Sequence, residues 1–260
     1  MEKRPLILIS NDDGITAPGI RALVECMKQL GDVVVVAPDS PQSGMGHAIT
    51  INKPLRLDRS DFFGDDVIAY QCSGTPADCV KLALDKVLDR KPDLLVSGIN
   101  HGSNSSINVI YSGTMSAAVE GAIDDLNAIG FSLLDYSLEA NFDIAKTVVL
   151  KVARKVLANG MPKGCLLNVN IPKLPSEELK GIKVCRQANA KWVEEFDHRH
   201  DPTGRQYFWL TGKFVNMDHG DDTDVWALEN GYASVVPVQF DLTAHHIIGI
   251  VNNWDLNEQI

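Results

Sequence analysis

Residues 6–40 read LILISNDDGITAPGIRALVECMKQLGDVVVVAPDS, and their pattern decides the fold class. Leu6–Ser10 is a short apolar run of the kind that forms a buried parallel strand. Pro18 is suited to open a helix, Ile20, Leu23, Val24 and Met27 give that helix an apolar stripe, and Gly31 stops it. The β-branched run at 33–37, ended by Pro38-Asp39, is a second strand. Strand, helix and strand in this order make a right-handed parallel unit.

The rhythm continues outward. Residues 49–57 and 67–71 are expected as strands around a polar turn, and 76–88 as a helix with Val80, Leu84, Val87 and Leu88 on its apolar side. Residues 94–97 form another buried strand, followed by a long Gly/Ser/Asn loop and a helix from about Thr114. Then come a strand at 128–133, an amphipathic helix at 141–157 closed by Asn159-Gly160, and a strand at 166–171. Such alternation implies an α/β chain with a Rossmann-like, doubly wound, mostly parallel sheet. After Pro172 the alternation is lost, because 183–187, Gln206–Asn216 and 232–238 are strand-like without intervening helices. The expected organisation is a catalytic core over 1–172 and a β-rich extension over 173–260. Tyr207, Phe208 and Trp209 mark that extension as an arm for self-association.

The 24 Lys and Arg against 34 Asp and Glu give a net charge of −10, which repels a polynucleotide backbone and argues against nucleic-acid binding. A small phosphorylated ligand remains compatible, since one metal ion inverts the local field. No apolar run approaches membrane-spanning length, so no membrane partner is expected. The first apolar segment is interrupted too soon, at Asp12 and Asp13, for a signal peptide. Five scattered cysteines (Cys26, Cys72, Cys79, Cys165 and Cys185) without a CxxC pair read as a reduced, cytoplasmic protein.

Doubly wound folds bind ligands at the carboxyl ends of their strands, so the loops there carry the chemistry. The first, Ser10-Asn11-Asp12-Asp13-Gly14, has two adjacent carboxylates that repel unless a cation lies between them, and oxygen ligands suit magnesium or manganese. The same residues are equally good turn chemistry. The second, Pro41-Gln42-Ser43-Gly44-Met45-Gly46-His47, lacks the third glycine of a dinucleotide fingerprint and by itself reads as a flexible loop. The third runs from Ser97-Gly98-Ile99-Asn100-His101-Gly102-Ser103-Asn104 to Tyr111-Ser112-Gly113-Thr114. Asn100 stands where its amide oxygen can join a metal shell. Ser112, Gly113 and Thr114 open a helix, where free N–H groups and the dipole favour phosphate; simple capping by one hydroxyl is the alternative. His47 and His101 lie in these loops, but spacing does not decide whether either is an acid–base group. Residues 197–201 read as a solvated loop, and His245-His246 and the four tryptophans as structural.

Together with Ser73-Gly74-Thr75-Pro76-Ala77-Asp78-Cys79-Val80, Asp224-Val225-Trp226-Ala227-Leu228 and Asp241-Leu242-Thr243, these motifs resemble the SurE (survival protein E) nucleotidases, in order and over nearly the whole chain. The resemblance implies a cytoplasmic hydrolase of nucleoside 5′-monophosphates, with 3′-monophosphates as further substrates. It implies one divalent cation per subunit, magnesium or manganese, held by Asp12, Asp13, Ser43 and Asn100, with Asp12 and Asp13 catalytic. It also places Asn104, Ser112, Gly113 and Thr114 around the phosphate and points to a homodimer or homotetramer. Two rival readings fit the residues less well. An aspartyl-phosphate phosphatase needs a nucleophilic Asp at the position held by Asn11, and a nucleotide sensor without turnover has no need of paired carboxylates.

Overall fold

The computed structural model describes residues 4–137, 139–254 and 256. Strand β1 (Leu6–Ser10) leads to helix α1 (Pro18–Met27), then β2 (Asp32–Pro38), a short β3 (Leu57–Arg59) and β4 (Ile68–Cys72). Helix α2 (Pro76–Leu82) continues into a wider helical turn at Ala83–Val87, before β5 (Leu94–His101), α3 (Gly113–Ile123), β6 (Ala128–Leu133), α4 (Asp143–Asn159) and β7 (Cys165–Ile171). The remainder holds β8 (Gly181–Val184), β9 (Ala190–His200), β10 (Gln206–Asn216), α5 (Asp224–Glu229), β11 (Tyr232–Gln239) and α6 (His245–Asn252).

Nine strands form one sheet in the order β3-β4-β2-β1-β5-β6-β7-β11-β8. The six strands from β4 to β7 are mutually parallel. Numbered among themselves they run 3-2-1-4-5-6, the Rossmann order, so the direction of winding reverses between β1 and β5. Period-two alternation sends Ile7 and Ile9 to one face and Leu8 to the other. On the first face α1 and α4 bury Ile20, Leu23, Met27, Val148 and Val152; on the second, α2 and α3 bury Cys79, Val80, Met115 and Ala118. Gly19 lets α1 approach closely, since a Cβ there would lie 2.0 Å from the carbonyl oxygen of Ile99.

The late part of the chain differs from its expectation. Strands β11, antiparallel to β7, and β8 extend the main sheet; helix α5 interrupts the β structure and α6 follows it. Helix α5 escapes a periodicity reading because it has six residues; its start is fixed by Thr223 Oγ1, which accepts the Trp226 N–H at 3.2 Å. Strands β9 and β10 form a separate antiparallel ribbon, paired from Ala190↔Asn216 to His200↔Gln206. Residues 197–200 therefore lie in a strand and not in a solvated loop. Both faces of the ribbon meet solvent, so Glu194, Glu195, Asp197 and Arg199 show no apolar alternation to reveal it. The expected strand at 49–57 is also absent: only Leu57–Arg59 pairs, and Ile49 and Ile51 are exposed. Pro54 removes a ladder donor from the middle of that run. No described helix is long and apolar enough to cross a membrane.

Candidate active site

The carboxyl ends of β1 and β5 lie side by side at the reversal point, with Ile9 opposite Val96 and Ser10 opposite Ser97. Asp12 and Asp13 follow the first strand, and Asn100 and His101 end the second. Helix α3 directs its N-terminus at the same spot.

Asp12 is buried, and its carboxylate Oδ1 accepts the hydroxyl of Thr114. The Thr114 backbone N–H supports the same carboxylate. Burial, then the charge of Asp13, pushes the Asp12 carboxyl up to about 6, against the opposing hydrogen bonds from Thr114. Gly113 is demanded by this contact, because a Cβ there would lie 2.6 Å from the Asp12 Cβ and 2.9 Å from its Oδ2. Asp13 faces the other way: its Oδ2 lies 3.4 Å from the His101 backbone nitrogen and 3.3 Å from His101 Nδ1. The His101 ring packs edge-on against Phe142 at 5.4 Å.

Ser112 caps α3, its Oγ accepting the Met115 N–H at 3.0 Å. That bond occupies a lone pair and leaves the hydroxyl hydrogen free to donate elsewhere. With Met115 capped and Thr114 turned to Asp12, the Gly113 N–H has no acceptor among the described residues. Asn100 donates its amide to the Gly102 carbonyl at 2.9 Å, which fixes the side chain with its oxygen left over. Asn104 is held from three sides: its N–H donates to Asn170 Oδ1, its amide donates to Ser132 Oγ, and its carbonyl accepts from Asn168 Nδ2.

A cavity of about 220 Å³ brings Asp12, Ser43, Asn100, Asn104 and Ser112 onto one wall system. Gly113 and Thr114 stand behind Asp12 and do not line it; Asp13 reaches it through His101. The loop carrying Ser43 is tied to the site, since the Gln42 N–H donates to the Asp12 carbonyl at 2.7 Å and the Gly46 N–H to the Tyr111 carbonyl at 3.1 Å. The cavity also gathers Asn108, Tyr136 and Trp192, which sequence reasoning did not select. Trp192 was expected to be structural. It comes from the base of the ribbon, where its indole N–H donates to Asn108 Oδ1 at 2.8 Å and its ring meets Phe214 at 5.7 Å. The hydrogen bond to Asn108 spans 84 residues, so no local signal could have found it.

The donor set is suited to a hard cation. Asp12, Asn100 and Ser43 offer oxygen atoms on one cavity wall, with Asp13 next to them, and a cation there would offset the burial and the Asp13 charge that raise the Asp12 carboxyl. Asn11 Oδ1, in the same loop, is a buried acceptor with no donor among the described residues. Among the described residues no group of three or more His, Cys, Asp or Glu is placed to hold a metal ion, so a cation here would also need the Ser43 and Asn100 oxygens.

The family described as Survival protein SurE matches residues 7–194. The chain is similar to the "5'-nucleotidase SurE" of Christiangramia forsetii, at 66% identity over 99% of each chain. It is 43% identical, over 98% of each chain, to the protein of that name from Phocaeicola vulgatus. The crystal structure of the SurE protein from Aquifex aeolicus superposes with a TM-score of 0.83 at 41% identity, covering 96% of this chain and 99% of that one.

Proposed function

The chain belongs to the survival protein SurE family and is a hydrolase, and from that premise we propose that it is a divalent-metal-dependent phosphatase of nucleoside 5′-monophosphates that also accepts 3′-monophosphates. The observation that carries this reading is the meeting of Asp12 and Asp13 with the N-terminus of α3 at the point where the sheet reverses. Groups suited to a cation and a helix start suited to an anion are there side by side.

Asp12, Asp13, Ser43 and Asn100 hold the cation, magnesium or manganese. When bound, it polarises a phosphate oxygen and lowers the pKa of a nearby water. Ser112, on the cavity wall with its hydroxyl hydrogen free, stabilises the equatorial charge of the phosphate, and the Gly113 N–H at the same helix start adds to the field that favours it. Thr114 acts one step back, by holding Asp12 in place. Asn104 takes part through its unengaged Oδ1 and the fixed wall it builds. Asp13, oriented by His101, is the carboxylate that takes the proton of the attacking water.

A nucleoside attached to that phosphate has room beside it. The 220 Å³ cavity shares Ser103, Asn108, Tyr136 and Trp192 with a second one of about 410 Å³ that Phe214 also lines. Aromatic walls next to a phosphate site suit a base. Self-association as a dimer or tetramer is supported by Phe196, Phe208, Trp209 and Leu210, all exposed on the ribbon. The direct test is phosphate release from the 5′- and 3′-monophosphates of one nucleoside. Turnover of the 5′-isomer that Asp12→Asn abolishes is expected; no release from either isomer overturns the reading.

A further inference from the structure

Glu120 sits in the last turn of α3, three residues before its end at Ile123, and is 2% exposed. A carboxylate buried in that way costs several kcal/mol of desolvation unless it is paired. Lys81 of α2 pairs with it at 2.5 Å, and that bond alone ties the two helices. A second bond, from His47 Nε2 to Glu120 Oε2 at 2.8 Å, has no such use. His47 belongs to neither helix. It ends the loop that carries Ser43.

That loop needs an anchor. Gly44 and Gly46 both have positive φ (73° and 54°), and a Cβ on Gly44 would meet nothing within 4 Å. Ser43, Gly44 and Met45 are exposed. On one side the Gln42 N–H is fixed to the Asp12 carbonyl; on the other the Gly46 N–H is fixed to the Tyr111 carbonyl, and His47, next to Gly46, adds its bond to Glu120. We propose that Glu120, acting through His47, is a positioning residue that sets Ser43 over the cavity, so that cation affinity depends on the His47–Glu120 contact. Burial disfavours the Glu120 carboxylate, but the hydrogen bonds from His47 and Lys81 outweigh this and hold its pKa below the usual range. The anchor therefore stays charged at neutral pH.

The inference rests on Ser43 as a cation ligand, and the test separates the two. Mn²⁺ dissociation constants are measured by calorimetry, with melting temperatures, for the wild type and for Ser43→Ala, His47→Ala, His47→Gln and Lys81→Met. His47→Ala should weaken Mn²⁺ about 10-fold, the lower end of what an outer-shell partner contributes. His47→Gln, whose amide can donate to Glu120, should restore most of that. Lys81→Met breaks the other bond to the same carboxylate without touching the loop and should leave the constant unchanged. Wild-type affinity in His47→Ala, or an equal loss in His47→Ala and Lys81→Met, overturns the positioning role. An unaffected Ser43→Ala, or a wild type that binds no Mn²⁺, removes the reading beneath it and the inference together.

Discussion

Thr114 donates its hydroxyl to Asp12 across 102 residues of sequence, and both side chains are buried. The contact joins the end of the first strand to the first turn of α3 and partly offsets the burial that disfavours the Asp12 carboxylate.

Asp12→Asn should stabilise the cation-free protein. The Asp12 carboxyl is pushed up to about 6 in the folded state, against about 3.9 when unfolded. Between those values the native protein holds a proton that the unfolded chain has released. Stability from this group is therefore greatest below pH 4 and is lost as pH rises to 6, a cost of up to roughly 3 kcal/mol above that. Urea unfolding at pH 8 should show Asp12→Asn more stable than wild type, with the difference vanishing near pH 4. A variant less stable at pH 8 would contradict the burial argument.

Gly113→Ala should damage fold and activity together. The new methyl would lie 2.6 Å from the Asp12 Cβ, closer than any van der Waals contact allows. Overpacking of this kind costs about 1–3 kcal/mol, readable as a lower urea midpoint. It should also displace Asp12, so phosphate release should fall by more than the loss of folded protein explains.

Ser112→Ala should lose activity only in part. One oxyanion donor is worth about 10²–10³ in rate where it is best placed, and the cap about 1 kcal/mol of stability. Inorganic phosphate should become a weaker competitive inhibitor. No histidine contacts Ser112, whose Oγ takes the Met115 N–H, so mass spectrometry of enzyme quenched during turnover should find no phosphoserine there. A phosphoserine forming and decaying at the turnover rate would make the mechanism two-step.

Removing the ribbon should change the assembly. Val193 pairs with Lys213, so replacing 193–213 by Asn-Gly joins Trp192 to Phe214 through a tight hairpin. Light scattering should then report a smaller mass than for the full chain. Equal, monomeric masses for both proteins would refute self-association through this arm.

The parts legible in the sequence were those set by local pattern. Leu6–Ser10 could only be a buried strand, and Asp12-Asp13 directly after it fell at the sheet's binding edge by the geometry of parallel strands. Ser112 was legible as a residue that opens a helix, and the structure shows it in the capping role that the sequence offered only as the alternative. What stayed hidden was set by distance along the chain. His101 orients Asp13 from 88 residues away, and Trp192 reaches Asn108 from the ribbon. Thr114 was legible as a helix opener, but its partner Asp12 was not. The ribbon was half seen, because β10 opens on consecutive aromatics while β9 scatters Trp192, Val193 and Phe196 among charged residues.

The central claim is that Asp12 and Asp13 work by holding a divalent cation. Phosphate release from a nucleoside 5′-monophosphate, followed first in chelator and then as magnesium or manganese is returned, tests it most directly. The account expects no release in chelator, full recovery with either metal, and no recovery in Asp12→Asn. Full activity in a rigorously metal-free sample would contradict it.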